Sequence, residues 1–512
     1  MRVKDRQHVP DILDCLAQLS SDEVPTPPKL ARAMLDLLPG EVWSNPGLRW
    51  LDPCCKSGVF LREIAIRLLD GLAEWEPDFE KRREHIFRTM LFGTAITEIT
   101  GYVSRRTVYY SRDASGEHSV VHFDEEVGNL PFVSAEHDFK QGRCQVCGAP
   151  EDLDRGDTRE NYAYAFIHRA YPTKEMKDME FDVVVGNPPY QIDDGGHNAS
   201  ATPIYHHFVE KAIELNPRYV LMITPSRWFM GGKGLDRYRA RMLADRRMRT
   251  LVDYPKLYDG FPGVKIRGGV SYFLWDRDHD GPCSIQTMWD GEPVGPPVVR
   301  NLDAYDVLVR RNEAVGIIEK VRAYRAHGHP EGTLDAKVSS QKPFGLRTFF
   351  HGATSPDGMA DPIKLYGSQR STWIERADVP KNADWIEEWK VLMSRVQGTS
   401  AAVERQFLGR PIVSGPKTAC TESYVVAGRF STETEAQRYA TYLRTRFARF
   451  LVSLRKSTQD AARDVYAFIP DIPLDREWTD ADLYERYGLV DEEIAFVESQ
   501  VKEMLSDEAA AA

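Results

Sequence analysis

The hydrophobic pattern of the chain alternates between short apolar runs and longer amphipathic segments. Apolar runs at residues 50–51, 181–185 and 219–223, each followed by a turn, predict buried strands. The stretch from Gly58 to Leu69 has apolar residues at helical spacing. Strands that alternate with helices in this way predict an α/β fold with a mixed, mostly parallel sheet.

Further features of the pattern divide the chain. Residues 101–175 are longer than one strand connection requires, so they predict an insertion. A Gly/Pro-rich stretch at 291–297 marks a change in composition and predicts a domain boundary. We therefore expect one domain over 1–290 and a second α/β region over 291–512. The remaining predictions are a helical lead-in at 1–24, strands within 87–100, 251–254 and 268–275, a mobile lid at 191–201 and a solvated helical tail from Asp491.

Composition excludes several classes of protein. The chain has 512 residues, 42% of them hydrophobic, which is ordinary for a globular protein. No apolar run reaches the ~18–20 residues that a membrane span needs, and the N-terminus has no apolar stretch typical of a signal peptide. Seven scattered cysteines indicate a reducing cytoplasm. The net charge of -11 excludes a uniformly basic nucleic-acid-coating protein but permits a local basic cleft.

Candidate chemistry is concentrated where the apolar run 181–185 ends in Asn187, Pro188, Pro189 and Tyr190. The two prolines fix the backbone and remove two amide donors. This predicts a stiff loop at the carboxyl end of a strand, where open α/β sheets bind ligands. The Asn187 side-chain oxygen and the Pro188 carbonyl could accept hydrogen bonds from an exocyclic amino group, and Tyr190 could stack on a base, worth ~1–3 kcal/mol. The alternative is a proline-rich turn with a packed Tyr190.

The Asn-Pro-Pro-Tyr string, after Asp182 and a Val-rich strand, resembles the catalytic motif of amino-methyltransferases that act on adenine N6 in DNA. The motif order is similar to the gamma class of restriction–modification systems. The resemblance covers most of 20–290 and is looser beyond. It implies a Rossmann-like domain dependent on S-adenosylmethionine over 1–290, and a target-recognition, DNA-binding region over 291–512. Some RNA and protein-glutamine methyltransferases share the string.

The same resemblance assigns roles to other residues. Asp52, Gly58 and Phe60 match the family's cofactor motif, although Cys54 and Lys56 replace its Ala and first Gly. Asp52 would lie at the methionine end of S-adenosylmethionine, with Asn187 also near the cofactor. Three further residues have an alternative each: Thr26 (cofactor segment or plain helix N-cap), Glu98 (ribose ligand or helix first-turn acid) and Phe261 (base stacking or core packing).

These roles predict a site-specific DNA methyltransferase that forms N6-methyladenine in a restriction–modification or defence system. Its partner would be double-stranded DNA, with the target adenine flipped out and stacked on Tyr190 and Phe261, and a separate cognate endonuclease is possible. The chemistry needs no metal. Three alternatives stay open: a bifunctional enzyme whose nuclease includes Glu388 and Lys390 after Asp378 or Asp384, methylation of RNA or a protein amide, and an inactive binding protein.

Two further patterns each permit two interpretations. Cys144 and Cys147 form half of a zinc-knuckle-like site that His122, His137 or His168 could complete, or else a tight turn with two free thiols. Two stretches rich in Lys and Arg, 233–249 and 437–456, are either phosphate-binding surfaces or helices with solvated charges and, in the second, aromatic residues in the core.

Overall fold

The structure is a computed structural model of the whole chain, which divides into two compact units, Met1–Leu308 and Val309–Ala512. It describes residues 24–504 apart from several short segments. The predicted lead-in helix, most of the predicted lid and the end of the acidic tail lie outside the described residues. The segments left out are 152–163, 177–178, 193–201, 327–330, 397–406 and 457–459, with the single positions 233, 257, 262, 263, 265, 267 and 369.

The first unit is built on one large mixed sheet. The strands of this unit are β1 (Trp50–Cys55), β2 (Leu91–Ala95), β3 (Phe139–Lys140), β4 (Arg143–Cys144), β5 (Val183–Gly186), β6 (Gln191–Ile192), β7 (Thr202–Pro203), β8 (Tyr219–Pro225), β9 (Met248–Tyr254), β10 (Val270–Asp276), β11 (Cys283–Trp289), β12 (Glu292–Pro293) and β13 (Val298–Arg300).

The main order of the large sheet is β12-β11-β9-β10-β8-β5-β1-β2, with β13 beside β11. Strands β1, β2, β5 and β8 pair in parallel, β9 and β11 are also parallel, and β10 runs antiparallel between β8 and β9. The predicted Rossmann-like α/β fold is confirmed.

The central strands are buried along their whole length, as expected for parallel strands that helices cover on both faces. Trp50, Trp228 and Trp275 are among the largest side chains completely buried in this core. The helices of the unit begin and end as follows: Pro28–Leu35, Val59–Gly71, Phe79–His85, Glu98–Tyr109, Tyr205–Glu214 and Asp236–Ala244. None of the helices in the described part of the chain has the length and hydrophobicity of a bilayer-spanning segment.

Strand β1 lies between β2 and β5, with Trp50 paired to both Leu91 and Val183. Because the three strands are parallel, the turns that follow them meet at one edge of the sheet. That edge is where open α/β folds bind ligands. It brings the segments that follow Cys55, Ala95 and Gly186 into one region.

The second unit contains two small sheets and a set of helices. The strands are β14 (Pro362–Tyr366), β15 (Ser371–Glu375), β16 (Trp389–Ser394), β17 (Ile412–Ser414), β18 (Thr418–Cys420) and β19 (Tyr424–Phe430). They form two sheets with the orders β15-β14-β18 and β17-β16-β19. The helices are Asn312–Ala326, Glu433–Arg444, Arg446–Ser453, Asp480–Arg486 and Asp491–Gln500.

The stretch 437–456 has its aromatic residues in the core, as one interpretation expected, but Arg449, Arg455 and Lys456 are buried rather than solvated. A phosphate-binding surface on this stretch stays a prediction. The stretch forms two helices, because Thr445 is extended and caps the second by accepting a hydrogen bond from the Ala448 amide. Arg449 is completely buried and donates to the carbonyls of Arg444 and Lys502. The aromatic residues interleaved with the arginines are in the core: Tyr439, Tyr442, Phe447 and Phe450.

The other basic stretch, 233–249, is largely neutralised. Five of its six arginines pair with carboxylates of the same unit, which reduces the charge that the stretch offers to a phosphate. The pairs are Arg239 with Asp236, Arg241 with Glu210, Arg246 with Asp280, Arg247 with Asp245, and Arg249 with Asp276.

Candidate active site

The carboxyl end of β1 is held between two glycines of its neighbouring strands. A Cβ atom on Gly186 of β5 would lie 2.8 Å from the Cys54 sulfur, and one on Gly93 of β2 would lie 2.6 Å from the Cys55 sulfur. Both distances are too short for any side chain larger than glycine. The two buried thiols therefore fill the space that the glycines leave.

A narrow cleft of about 10 Å³ opens beside this strand end. It is far smaller than most pockets that bind a ligand, which hold roughly 300–1,000 Å³. Five of the residues predicted from sequence line it together, although they come from segments far apart in the chain. The complete lining consists of Thr26, Asp52, Cys54, Lys56, Ser57, Gly58, Val59, Phe60 and Asn187.

One wall of the cleft is the start of the helix Val59–Gly71. Gly58 precedes it with φ of +71°, and a Cβ atom there would lie 2.9 Å from the Ser104 carbonyl oxygen. Only glycine satisfies both the backbone angle and the available space. Because Gly58 has no side chain to cap the helix, the first-turn amides keep their capacity to bind a ligand oxygen.

Asp52 is the acidic group of the cleft. Its side chain is buried, and its Oδ1 accepts a hydrogen bond from the Cys54 amide at 3.1 Å. Burial raises the pKa of the Asp52 carboxyl to about 6, although the hydrogen bond from Cys54 opposes the shift. A cationic group bound beside the Asp52 carboxyl would favour its ionised form and lower its pKa.

Asn187 is buried and firmly oriented. Its Nδ2 donates to the Val24 carbonyl at 2.9 Å and to the Thr26 hydroxyl at 3.0 Å. A carbonyl can only accept, so the amide nitrogen must be the atom that faces Val24. The opposite atom, Oδ1, is buried and has no hydrogen-bond partner within the described part of the chain. One acceptor is thus left over at the cleft.

Tyr190 closes the corner formed by residues 187–190, and Lys56 lies over it. The Lys56 ammonium is 5.8 Å from the centre of the Tyr190 ring and donates to the Val24 carbonyl at 3.3 Å. Burial raises the pKa of the Tyr190 hydroxyl, so it stays protonated. Lys56 was not among the predicted site residues. Lys56 stands where the family motif has its first glycine, and this difference could have identified Lys56 as a residue of the site.

The remaining predicted residues lie outside the lining of the cleft. Glu98 is exposed at the first turn of the helix Glu98–Tyr109 and accepts a hydrogen bond from Tyr102 at 2.9 Å. Phe261 is buried in the core, 2% exposed. Pro188 and Pro189 are buried in the corner itself. Base stacking on Phe261 and ribose binding by Glu98 stay predictions.

The stretch proposed as a nuclease has a different role. The Lys390 ammonium is buried and donates to the carbonyls of Trp385, Ile386 and Glu388. Glu388 pairs with Arg429. Among the described residues, the one group with the geometry to hold a metal lies elsewhere, so the nuclease alternative is not favoured.

That group, the Cys/His cluster, lies within the predicted insertion. It contains His137, Cys144, Cys147 and His168, with all four ligand atoms within 4.8 Å of one another. His122, the fifth residue predicted for this site, is exposed and is not part of the cluster.

Comparisons with known proteins relate this chain to methylases. Residues 89–261, which include the 187–190 corner, match the family described as Eco57I restriction-modification methylase. A protein of Mycoplasma pneumoniae, described as an uncharacterized adenine-specific methylase, is 36% identical over 309 residues, which cover 54% of this chain and 73% of that protein.

Solved structures of low sequence identity also align with this chain. One is a DrdV–DNA complex, with 11% identity, a TM-score of 0.47 and coverage of 93% of this chain and 56% of that one. Another is the EcoKI M protein, with 12% identity, a TM-score of 0.33 and coverage of 54% and 51%. The chain spans only about half the length of these two solved proteins. The identity to the Mycoplasma protein, over most of its length, shows that this chain belongs to the adenine-specific methylase family.

Proposed function

We propose that this chain transfers the methyl group of S-adenosylmethionine to the N6 amino group of adenine in double-stranded DNA, as the modification enzyme of a restriction–modification or defence system. The observation that carries the proposal is the buried, partnerless Oδ1 of Asn187 at the cleft. An acceptor whose direction is fixed from behind by Val24 and Thr26 suits a substrate that brings N–H donors.

The residues of the cleft fit the methionine end of the proposed cofactor. Asp52 offers a carboxylate for an ammonium group, and the amides that follow Gly58 offer donors for a carboxylate. When bound, S-adenosylmethionine supplies an activated methyl group on a positively charged sulfur. The small volume of the cleft implies that side chains or the segment around Thr26 shift when the cofactor enters.

The chain's own contribution to catalysis is positioning and polarisation. Asn187 Oδ1 and the Pro188 carbonyl are the two acceptors we assign to the two hydrogens of the adenine amino group. Hydrogen bonds to both would draw the nitrogen toward a tetrahedral shape and free its lone pair. Tyr190 is the face on which the flipped adenine would stack, which requires the Lys56 ammonium to move from its place over the ring.

The test is to identify the methylated product. The full chain is incubated with tritiated S-adenosylmethionine and, separately, with genomic DNA, total RNA or a protein extract, and products are digested and separated. We expect label in N6-methyladenine from DNA with the wild type, label reduced about 10²–10³-fold with Asn187→Ala, and wild-type labelling with the exposed-site control Asn301→Ala.

Label in RNA or in a protein amide would show that the substrate is not DNA, but the role proposed for Asn187 would still hold. Label that survives unchanged in Asn187→Ala would refute the assignment of the site. Cofactor binding without label in any substrate would favour an inactive binding protein. Sequencing the genome of a host that expresses the chain would then give the methylated sequence.

A further inference from the structure

The insertion of the first unit brings together four side chains that the proposed methyl transfer does not use. Two come from the turn that contains Cys144 and Cys147, one precedes it at His137, and one follows much later at His168. They are two thiols and two imidazoles, the ligand types that zinc prefers. Both thiols are buried and neither is in a disulfide.

The distances between the ligand atoms match a tetrahedral site. Zn–S and Zn–N bonds of about 2.3 and 2.0–2.1 Å place neighbouring ligand atoms roughly 3.3–3.8 Å apart. The Cys144 sulfur is 3.6 Å from His168 Nε2, and the Cys147 sulfur is 3.4 Å from His137 Nδ1. No described ligand pair exceeds 4.8 Å.

The groups around the cluster orient these atoms toward one centre. His168 Nδ1 lies 3.0 Å from the Tyr164 carbonyl, which can only accept, so Nδ1 carries the proton and Nε2 keeps a free lone pair. The Val146 amide donates to the Cys144 sulfur at 3.4 Å, an arrangement that stabilises a thiolate. Gly148, with φ of +73°, closes the turn by donating to the Cys144 carbonyl.

We propose that His137, Cys144, Cys147 and His168 bind one Zn²⁺ in a closed, structural site. Four protein ligands complete the tetrahedron, which leaves no open position for a substrate. The ion joins the hairpin β3–β4 to the turn 164–170. That turn packs on the helix Tyr205–Glu214, since the rings of Phe166 and Phe208 lie 6.1 Å apart. The ion therefore anchors the insertion to the methyltransferase core.

The proposal is independent of the methyl-transfer function and is tested by metal content. The full chain is purified without chelator, and its zinc is measured by mass spectrometry against protein concentration. We expect one zinc per chain in the wild type and in Cys283→Ser, a buried thiol outside the cluster, and almost none in Cys147→Ser or His168→Ala. Methyl transfer and metal content are measured separately, so a negative result for one proposal does not contradict the other.

Cobalt substitution tests the site in the wild-type chain, so the result does not depend on whether the variants fold. Apo wild type titrated with Co²⁺ is expected to show the visible absorption of a tetrahedral ion and a thiolate charge-transfer band. His168→Cys, which replaces one ligand with another, is expected to retain the ion and to strengthen the charge-transfer band. If the wild type is purified without zinc and shows no tetrahedral spectrum with Co²⁺, the proposal is overturned. The cluster is then two thiol–imidazole hydrogen bonds and binds no metal. Zinc retained in full by Cys147→Ser would also overturn it.

Discussion

The 187–190 corner and the Cys/His cluster are two places in the first unit where buried polar atoms are arranged differently. At the corner, the donors of Asn187 are satisfied from behind and one acceptor is left over. In the cluster, four ligand atoms lie within 4.8 Å of one another. The first arrangement suits a substrate that binds and dissociates, and the second suits a resident ion. A single acceptor without a partner thus characterises the proposed active site, and four ligand atoms close together characterise the proposed structural one.

Removing the ion should have the largest effect in this comparison. A chelator strong enough to remove zinc is expected to lower the free energy of unfolding of the first unit by about 4 kcal/mol or more, because a structural metal contributes directly to folding. Thermal unfolding followed by circular dichroism measures the loss. Cys147→Ser should be equally unstable with or without chelator. A wild type whose unfolding temperature is indifferent to chelator would contradict this.

Asn187→Ala should act on turnover with little effect on folding. We expect methyl transfer to fall about 10²–10³-fold, the size of loss seen when one positioned polar group is removed from an active site. The unfolding temperature should change little, and cofactor binding measured by calorimetry should be retained. If stability falls as far as it does in Cys147→Ser, the corner is a structural element and the contrast between the two sites disappears.

The pH dependence of cofactor binding should report on Asp52. The pKa of its carboxyl is about 6, and we assign its ionised form to the cofactor's ammonium group. Below that pH, the dissociation constant of S-adenosylhomocysteine should rise about tenfold per pH unit. Equilibrium dialysis from pH 5 to 8 measures the slope. Asp52→Asn should bind more weakly and show no slope. Asp182→Asn, which lies before β5 at the opposite edge of the sheet and accepts a hydrogen bond from the Arg49 amide, should keep it.

The stability of the cofactor-free chain should have the opposite pH dependence through the same group. The folded-state pKa of Asp52 lies above its value in an unfolded chain, so the folded state holds the proton more strongly. Its contribution to stability is therefore complete below about pH 4 and is lost as the pH rises through about 6. Denaturant unfolding of wild type and Asp52→Asn across this range isolates the contribution.

Lys56→Ala should have the smallest effect. It removes one donor to the Val24 carbonyl and the cation over the Tyr190 ring. We expect cofactor affinity to change by about fivefold, equivalent to ~1 kcal/mol, because Asn187 still holds the same carbonyl. A loss of methyl transfer as large as that in Asn187→Ala would contradict this and show that Lys56 is essential to the corner. Lys29→Ala, an exposed lysine of the neighbouring helix, serves as the matched control.

The sequence identified the parts of the site that are carried by local motifs. The Val-rich strand, the Asn-Pro-Pro-Tyr turn and the Gly58 turn are contiguous, so their chemistry could be inferred before their positions were known. Parallel pairing of β1 with β5 then brings Asp52 and Asn187 to one cleft. The resemblance supplied Thr26, which the structure brings to Asn187 across 161 residues of chain.

Features that depend on long-range packing were not predictable in the same way. His137 and His168 flank the cysteine pair at spacings that match no common zinc motif, so the sequence could offer them only beside His122 and could not choose among the three. The stretch 437–456 had aromatic and basic residues at helical spacing, which does not distinguish a buried arginine from a solvated one. Thr445, a good helix N-cap, was the local signal for the break between its two helices.

The paired glycines beside β1 constrain how this sequence can change over generations. Gly186 and Cys54 occupy one shared space, as do Gly93 and Cys55, with the sulfur atoms within 3 Å of any added Cβ. A larger residue at 186 becomes acceptable only after position 54 has shrunk, for instance to the alanine usual in the family. At 93 the Asp52 backbone carbonyl, 2.9 Å from an added Cβ, would still exclude one. Laboratory libraries that vary 54 and 186 together should therefore recover functional variants that single-site scanning of Gly186 misses.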